Sequence, residues 1–321
     1  MSATNTTATN KRKAPEDDVK KQQDDDASDE DSDGTIQDIV DVDFDFYNPE
    51  EVDYHALKRL LSQLFSSDAE LIQVGDLADI VIEENHVGTT IKVDGQESDP
   101  YAILSVINLK EQKANAGVAS LCQYLANKCP KKDEALHKAV TKIFSLNDPV
   151  GWIVSERFIN MPVEVMPPMY NLLQQEMKNA VDNNEAYTFE WYMFIIKVYK
   201  EVTPTVDDEE QQQEDQGAAK QPAAKKKKGK KSKSSSAAST TLLTNETFYY
   251  QAEDEIIASY ASHQYDFTFT NKDKEAASDS KRAFSDFGIA PSRKLVFVHQ
   301  SKFANLVDEI EKTCSNITPM P

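Results

Sequence analysis

Between residues 40 and 46 the chain alternates Val40, Val42, Phe44 and Phe46 with Asp41, Asp43 and Asp45. A repeat of two predicts a strand with one buried and one acidic face, because successive side chains of extended backbone point to opposite sides. Asn48 and Pro49 end that pattern, and Tyr54, Leu57, Leu60, Leu61, Leu64 and Phe65 then recur at helical spacing, with a shorter helix expected around Leu77 to Ile82. VGTTIKVDG and YAILSVINL are apolar or β-branched runs joined by the turn-rich DGQESDP, which predicts adjacent strands. Two more helices are marked by Val118, Leu121, Cys122 and Leu125 and by Leu136, Val140, Ile143 and Phe144, the second opened by Asp133 as an N-cap.

GWIVSERF reads as a strand, Met169 to Val181 as a helix, and YTFEWYMFIIKVYKEV as a long strand apolar on both faces, which places it inside a sheet. Beyond a lysine-rich tract come a helix carrying Tyr249, Glu253, Ile256, Ile257 and Tyr260, the strands HQYDFTFT and KLVFVHQ, and a closing helix with Phe303, Leu306, Val307 and Ile310. Strands fall on both sides of the tract. The expected architecture is therefore one α/β domain, residues 35–203 and 242–321, interrupted by a long loop whose closure entropy grows only slowly with length.

Charge refines this layout. The 321 residues hold 55 acids and 35 bases, for a net charge of −20, and an acidic surface repels phosphates, which disfavours direct nucleic-acid binding. Fourteen acids lie between Glu16 and Asp45, giving residues 1–45 a net −9. In 204–241 six acids precede eight lysines, a net +2, which leaves −13 on the remainder. Residues 1–34 and 204–241 have almost no large apolar side chains to offset chain entropy, so both are expected to be disordered. Cys122, Cys129 and Cys314 form no CxxC pair, consistent with a reducing compartment. The longest apolar stretch, Trp191 to Tyr199, contains Lys197, and no membrane span or signal peptide is expected.

Chemistry is sparse. No two of the nine glycines lie within six positions, so GxGxxG, GxxxxGK and GxSxG are absent. The five histidines form no HxH or HxxxH, and no catalytic residue, cofactor or metal is assigned. Lys11, Arg12, Lys13, Lys20 and Lys21 have the form of a bipartite nuclear-localisation signal, and Lys225, Lys226, Lys227, Lys228, Lys230, Lys231 and Lys233 that of a simple one, both suited to a nuclear import receptor. Ser28 and Ser32 sit among acids that an acid-directed kinase would favour. Candidate contacts for a bound client are Asp41, Asp43 and Asp45 on one strand face, and Met161, Pro162, Pro167, Pro168 and Tyr170 in a block whose prolines could equally shape the entry to a helix.

FDFYNPEEVDYHALKRLLSQLF, SERFINMPVEVMPPMYNLLQQEM, the lysine-rich insert and the late LVFVHQ together resemble the BCCIP family of nuclear proteins, in its fungal branch, over nearly all residues from Val42 onward. The resemblance implies an acetyltransferase-like mixed sheet flanked by helices, without known catalytic activity. It also implies a chaperone for a basic large-subunit ribosomal protein in ribosome biogenesis, a role in nuclear export of a phosphatidylinositol phosphate kinase, and shuttling between nucleus and cytoplasm. Animal members are linked to a breast-cancer susceptibility protein and a cyclin-dependent kinase inhibitor. Two other readings stand beside it: a histone-type chaperone acting through the acidic tail, and an acyltransferase with an unrecognised site.

Overall fold

The computed structural model describes residues 43–202, 246–271 and 287–315. The expectations for 1–34 and 204–241, the two basic clusters, Ser28, Ser32 and Asp41 lie outside the described residues. Among the described residues the chain forms β1 (Asp45–Tyr47), α1 (Tyr54–Phe65), α2 (Val74–Glu83), β2 (Gly88–Lys92), β3 (Ala102–Asn108), α3 (Ala116–Lys128), α4 (Glu134–Phe144), β4 (Val150–Arg157), α5 (Met166–Asp182) and β5 (Trp191–Glu201). After the insert come β6 (Phe248–Tyr249), α6 (Ala252–Ser259), β7 (His263–Phe267), β8 (Ile289–His299) and α7 (Gln300–Cys314).

The eight strands make one mixed sheet in the order β1-β2-β3-β4-β5-β8-β7, with β6 pairing β5 off this path. Strands from both sides of the insert share the sheet, so the chain is a single α/β domain. β5 lies in the interior between β4 and β8, as its two apolar faces require: Met193 and Ile195 enter one core, Phe194, Ile196 and Val198 the other. The first core is covered by α1 to α4 and built around Trp152, Phe65 and Leu57. The second is covered by α5, α6 and α7 through Met169, Tyr170, Ile257 and Leu306. Asp133 caps α4 by accepting the Leu136 N–H at 3.0 Å. Gly95 turns the β2–β3 hairpin at φ 89°, a conformation that a Cβ disfavours.

Three element boundaries differ from expectation. β1 is confined to Asp45–Tyr47, with Asp43 and Phe44 preceding it. α5 begins at Met166, with Pro167 and Pro168 in its first turn, where a missing N–H loses no helical bond. Tyr249, expected on the helix with Glu253, Ile256 and Ile257, lies instead in the two-residue β6, and that helix runs from Ala252 to Ser259. Two residues carry no periodicity to separate them from the helix that follows.

One irregularity matters for the site. β4 and β5 are the parallel neighbours in an otherwise antiparallel sheet, and they pair only at Val150↔Trp191, Gly151↔Tyr192 and Trp152↔Met193. β5 is bonded to β8 along its whole length, so β6, at Val198↔Tyr249 and Tyr199↔Phe248, must occupy its β4 side. The two parallel strands therefore part, and β6 with the start of α6 enters the opening.

Candidate docking site

Part of the proline block meets the apolar side of the β1 segment at the β1 end of the sheet. Phe44 and Phe46 form one wall of a groove of about 540 Å³ whose other wall is Asn160, Pro162, Val163, Glu164, Val165 and Pro168. The turn from β4 into α5 supplies that second wall. Its path is fixed by Arg157, which donates from Nη1 to the Met161 carbonyl at 2.6 Å. Pro162 and Pro168 face solvent, whereas Met161, Pro167 and Tyr170 are buried. A client cannot reach those three. Their apolar bulk packs beneath the groove instead, which corrects the expectation that the whole block contacts a partner. The Tyr170 hydroxyl is fully buried without a closed hydrogen bond, and burial together with the nearby Glu253 carboxylate pushes its ionisation well above the ordinary phenol range.

Asp43 is exposed, and Asp45, half-buried, accepts the Tyr47 hydroxyl at 3.2 Å. Because strand residues alternate, Asp45 lies on the face of β1 opposite Phe46, level with Lys92 of β2, and Asp43 precedes the strand. β1 is also the end of the strand order, pairing only with β2 among the described residues. Among the described residues the site thus combines a strand edge paired on one side only, an apolar groove wall, and the acids Asp43 and Asp45.

Sequence reasoning missed a second arrangement, in the opening between β4 and β5. Arg157 donates from Nε and Nη2 to the two carboxylate oxygens of Glu253 at 2.8 and 2.9 Å, and both side chains are almost wholly buried. Lys197 on β5 reaches Glu156 on β4. Asp254 follows Glu253 into the same region, and its carboxyl is raised far above the usual range, first by burial and then by Glu253 and Glu156, with Lys197 and Arg157 opposing. Charged residues inside the otherwise apolar runs GWIVSER and FIIKVY were the available signal. The packed charges hold α6 in place and fill the opening.

A contrasting carboxylate sits on the other side of the sheet. Asp68, with no exposed surface, accepts the Thr270 and Asn271 backbone N–H groups at 2.7 and 2.9 Å, the Tyr124 hydroxyl at 2.8 Å and the Lys128 ammonium at 3.1 Å. Burial alone would raise its pKa, but the Thr270, Asn271, Tyr124 and Lys128 donors outweigh burial and hold it below the usual range. Among the described residues no group of three or more His, Cys, Asp or Glu could hold a metal ion, and no helix is long and apolar enough to cross a membrane.

A family model for BCCIP matches residues 39–257. The chain is 35% identical to "Protein bcp1" of Aspergillus fumigatus over 94% of its own length and 97% of that protein. It is equally identical, at 35%, to "Protein bcp1" of Schizosaccharomyces pombe, over 85% of this chain and 90% of that one. Its fold is similar to the crystal structure of BCP1 from Saccharomyces cerevisiae, with a TM-score of 0.55 and 24% identity, covering 87% of this chain and 92% of that one.

Proposed function

The chain belongs to the BCCIP family, and from that premise we propose that it is a non-enzymatic nuclear escort for a basic ribosomal protein of the large subunit. Such clients carry many Lys and Arg residues that bind any RNA indiscriminately. A competing acidic surface masks them until the proper assembly step and speeds their capture. The observation that carries this reading is the β1 end of the domain, where an apolar groove adjoins the Asp43 and Asp45 face. Charge alone would hold any basic protein, whereas a shaped apolar site can select one.

The same reading assigns the protein to the nucleus, with the clusters at Lys11–Lys21 and Lys225–Lys233 read by an import receptor, and with shuttling to the cytoplasm. It extends to nuclear export of proteins such as a phosphatidylinositol phosphate kinase. It also takes the sheet as acetyltransferase-like without the chemistry. A helix N-terminus cradles a phosphate through free backbone N–H groups. The approach to α5 has Pro162, Pro167 and Pro168 and no glycine, which supports a fold that no longer serves a pyrophosphate-bearing cofactor.

Affinity purification of the full chain from nuclear extract across a salt series tests the escort. A basic large-subunit ribosomal protein is expected to stay bound at 0.5 M salt, where diffuse charge attraction is screened within a few ångströms. Recovery of histones alone, or loss of every basic protein by that salt, would overturn it.

A further inference from the structure

We propose that β1 is a strand-addition site: its outer edge, unpaired among the described residues, takes an extended segment of a basic protein in which apolar residues alternate with Lys or Arg. The proposal rests on the escort reading for the identity of the client, but the geometry that defines the segment is its own. An added strand places its side chains on both faces of the sheet, level with those of the strand it joins. On one face of β1 the new neighbours are Phe44 and Phe46, with the groove walls Pro162, Val163 and Pro168 beyond them. On the opposite face the neighbour is Asp45, level with the buried Lys92 of β2, with Asp43 exposed just before the strand. Only a segment that is apolar on one side and cationic on the other satisfies both. An acidic segment would set like charges side by side, and a uniformly basic one would leave the groove unfilled.

The acids also decide against other occupants. Sheet edges are normally blunted by charge, proline or a bulge, because an unpaired row of N–H and C=O groups recruits any strand. Here the blunting charges are negative. A second copy pairing antiparallel through the same edge would bring the acids of the two β1 strands together, so self-association is opposed while a basic strand is drawn in. The opposite end of the sheet differs: Asp266 on the edge strand β7 is already neutralised by Lys294 and Lys200. At the edge beside the groove, no lysine or arginine among the described residues forms an ion pair with Asp43 or Asp45.

The test uses the full chain and a fluorescent ten-residue peptide of alternating Lys and Val, with Lys/Ser and Glu/Val peptides as controls, read by anisotropy at 0.15 M salt. The Lys/Val peptide is expected to bind at least tenfold more tightly than either control and to slow hydrogen exchange in peptides covering residues 43–47 and 160–168. Two surface variants keep the fold intact. Pro168→Glu puts a charge in the groove wall while leaving a residue that a helix's first turn tolerates, and Asp43→Lys reverses one rim charge; each is expected to weaken binding at least fivefold. Equal binding of Lys/Val and Lys/Ser, protection elsewhere, or indifference to both variants overturns the proposal. So does a concentration-dependent dimer by sedimentation that Pro168→Glu abolishes, since the occupant would then be a second copy. If the peptide fails while a ribosomal protein is still captured at high salt, strand addition falls and the escort stands. If the peptide binds as described but no ribosomal protein is captured, the escort falls and the strand site stands.

Discussion

Asp68 and Asp254 are buried carboxylates on the same scaffold, yet their surroundings push them in opposite directions. Asp68 faces four donors and is held ionised below the usual range. Asp254 shares its cavity with Glu253 and Glu156, and is held far above it. Burial is common to both, so burial does not decide the charge state; the balance of donors against neighbouring anions does. The two regions also do different work. Asp68 ties the turn after α1 to α3 and to the residues following β7, a staple across 202 positions of sequence to Thr270. The Asp254 region keeps two parallel strands apart around an inserted helix.

The largest way to break this comparison is to remove the cation from the second region. Arg157→Ala strips the two-pronged contact from Glu253 and the donor from the Met161 carbonyl, leaving buried acids opposed only by Lys197. The expected loss is about 3–5 kcal/mol of unfolding free energy, measured by urea denaturation, together with faster hydrogen exchange in the 158–166 turn. A loss below about 1 kcal/mol would mean that the cluster does not hold α6.

Asp68→Ala comes next. It removes one acceptor from four donors, for an expected loss of about 2–3 kcal/mol at pH 7. Its sign with pH is fixed by the depressed carboxyl: the stabilisation is present above the unfolded-state value of about 4 and disappears as pH falls through the lower folded value. The acid limb of the stability curve should therefore be shallower in the variant than in the parent. Asp254→Asn has the opposite sign. A carboxyl raised on folding favours the native state at low pH, and that stability is lost as pH rises through the folded value, so the neutral amide should gain on the parent with increasing pH. Thermal melts between pH 5 and 9 would show the two curves separating; parallel curves would mean that Asp254 is ionised throughout.

How far these regions could be read from sequence follows from their range. The capping Asp133 and the double apolar face of β5 are local patterns, and each reappears in the fold, whereas the period-two strand expected over residues 40–46 is reduced to Asp45–Tyr47 among the described residues. The groove was half legible: Phe44 and Phe46 read as a buried strand face and Pro162 and Pro168 as candidate contacts, but their meeting depends on α5 packing across β2 and β3, which brings its start to Phe44 and Phe46. Tyr170 was misjudged because a tyrosine in a proline-rich block looks like a surface contact until α5 rolls it into the core. The Arg157–Glu253 and Asp68–Thr270 contacts join residues 96 and 202 positions apart, and no repeat or spacing announces such pairs. What sequence does offer is the anomaly of a charge within an apolar strand, as at Glu156, Arg157 and Lys197.

The smallest expected effect sharpens the comparison from outside. Lys178 and Asp182 on α5 form an ion pair at 3.0 Å, between the 2.8 Å of Arg157–Glu253 and the 3.1 Å of Lys128–Asp68, but their side chains are 74% and 62% exposed. Water already solvates both groups, so the pair gains little over its separated state and fixes two flexible side chains to do so. Spaced four apart with Lys on the N-terminal side, it also has the less favourable orientation for the helix dipole. Lys178→Ala should therefore shift unfolding free energy by no more than about 0.5 kcal/mol in either direction, with the added helix propensity of Ala offsetting the lost attraction. A loss approaching that of Arg157→Ala would show that proximity of opposite charges, whatever their burial, carries the stability. The distinction between the two interior carboxylates would then have to be sought in packing instead of in their donors.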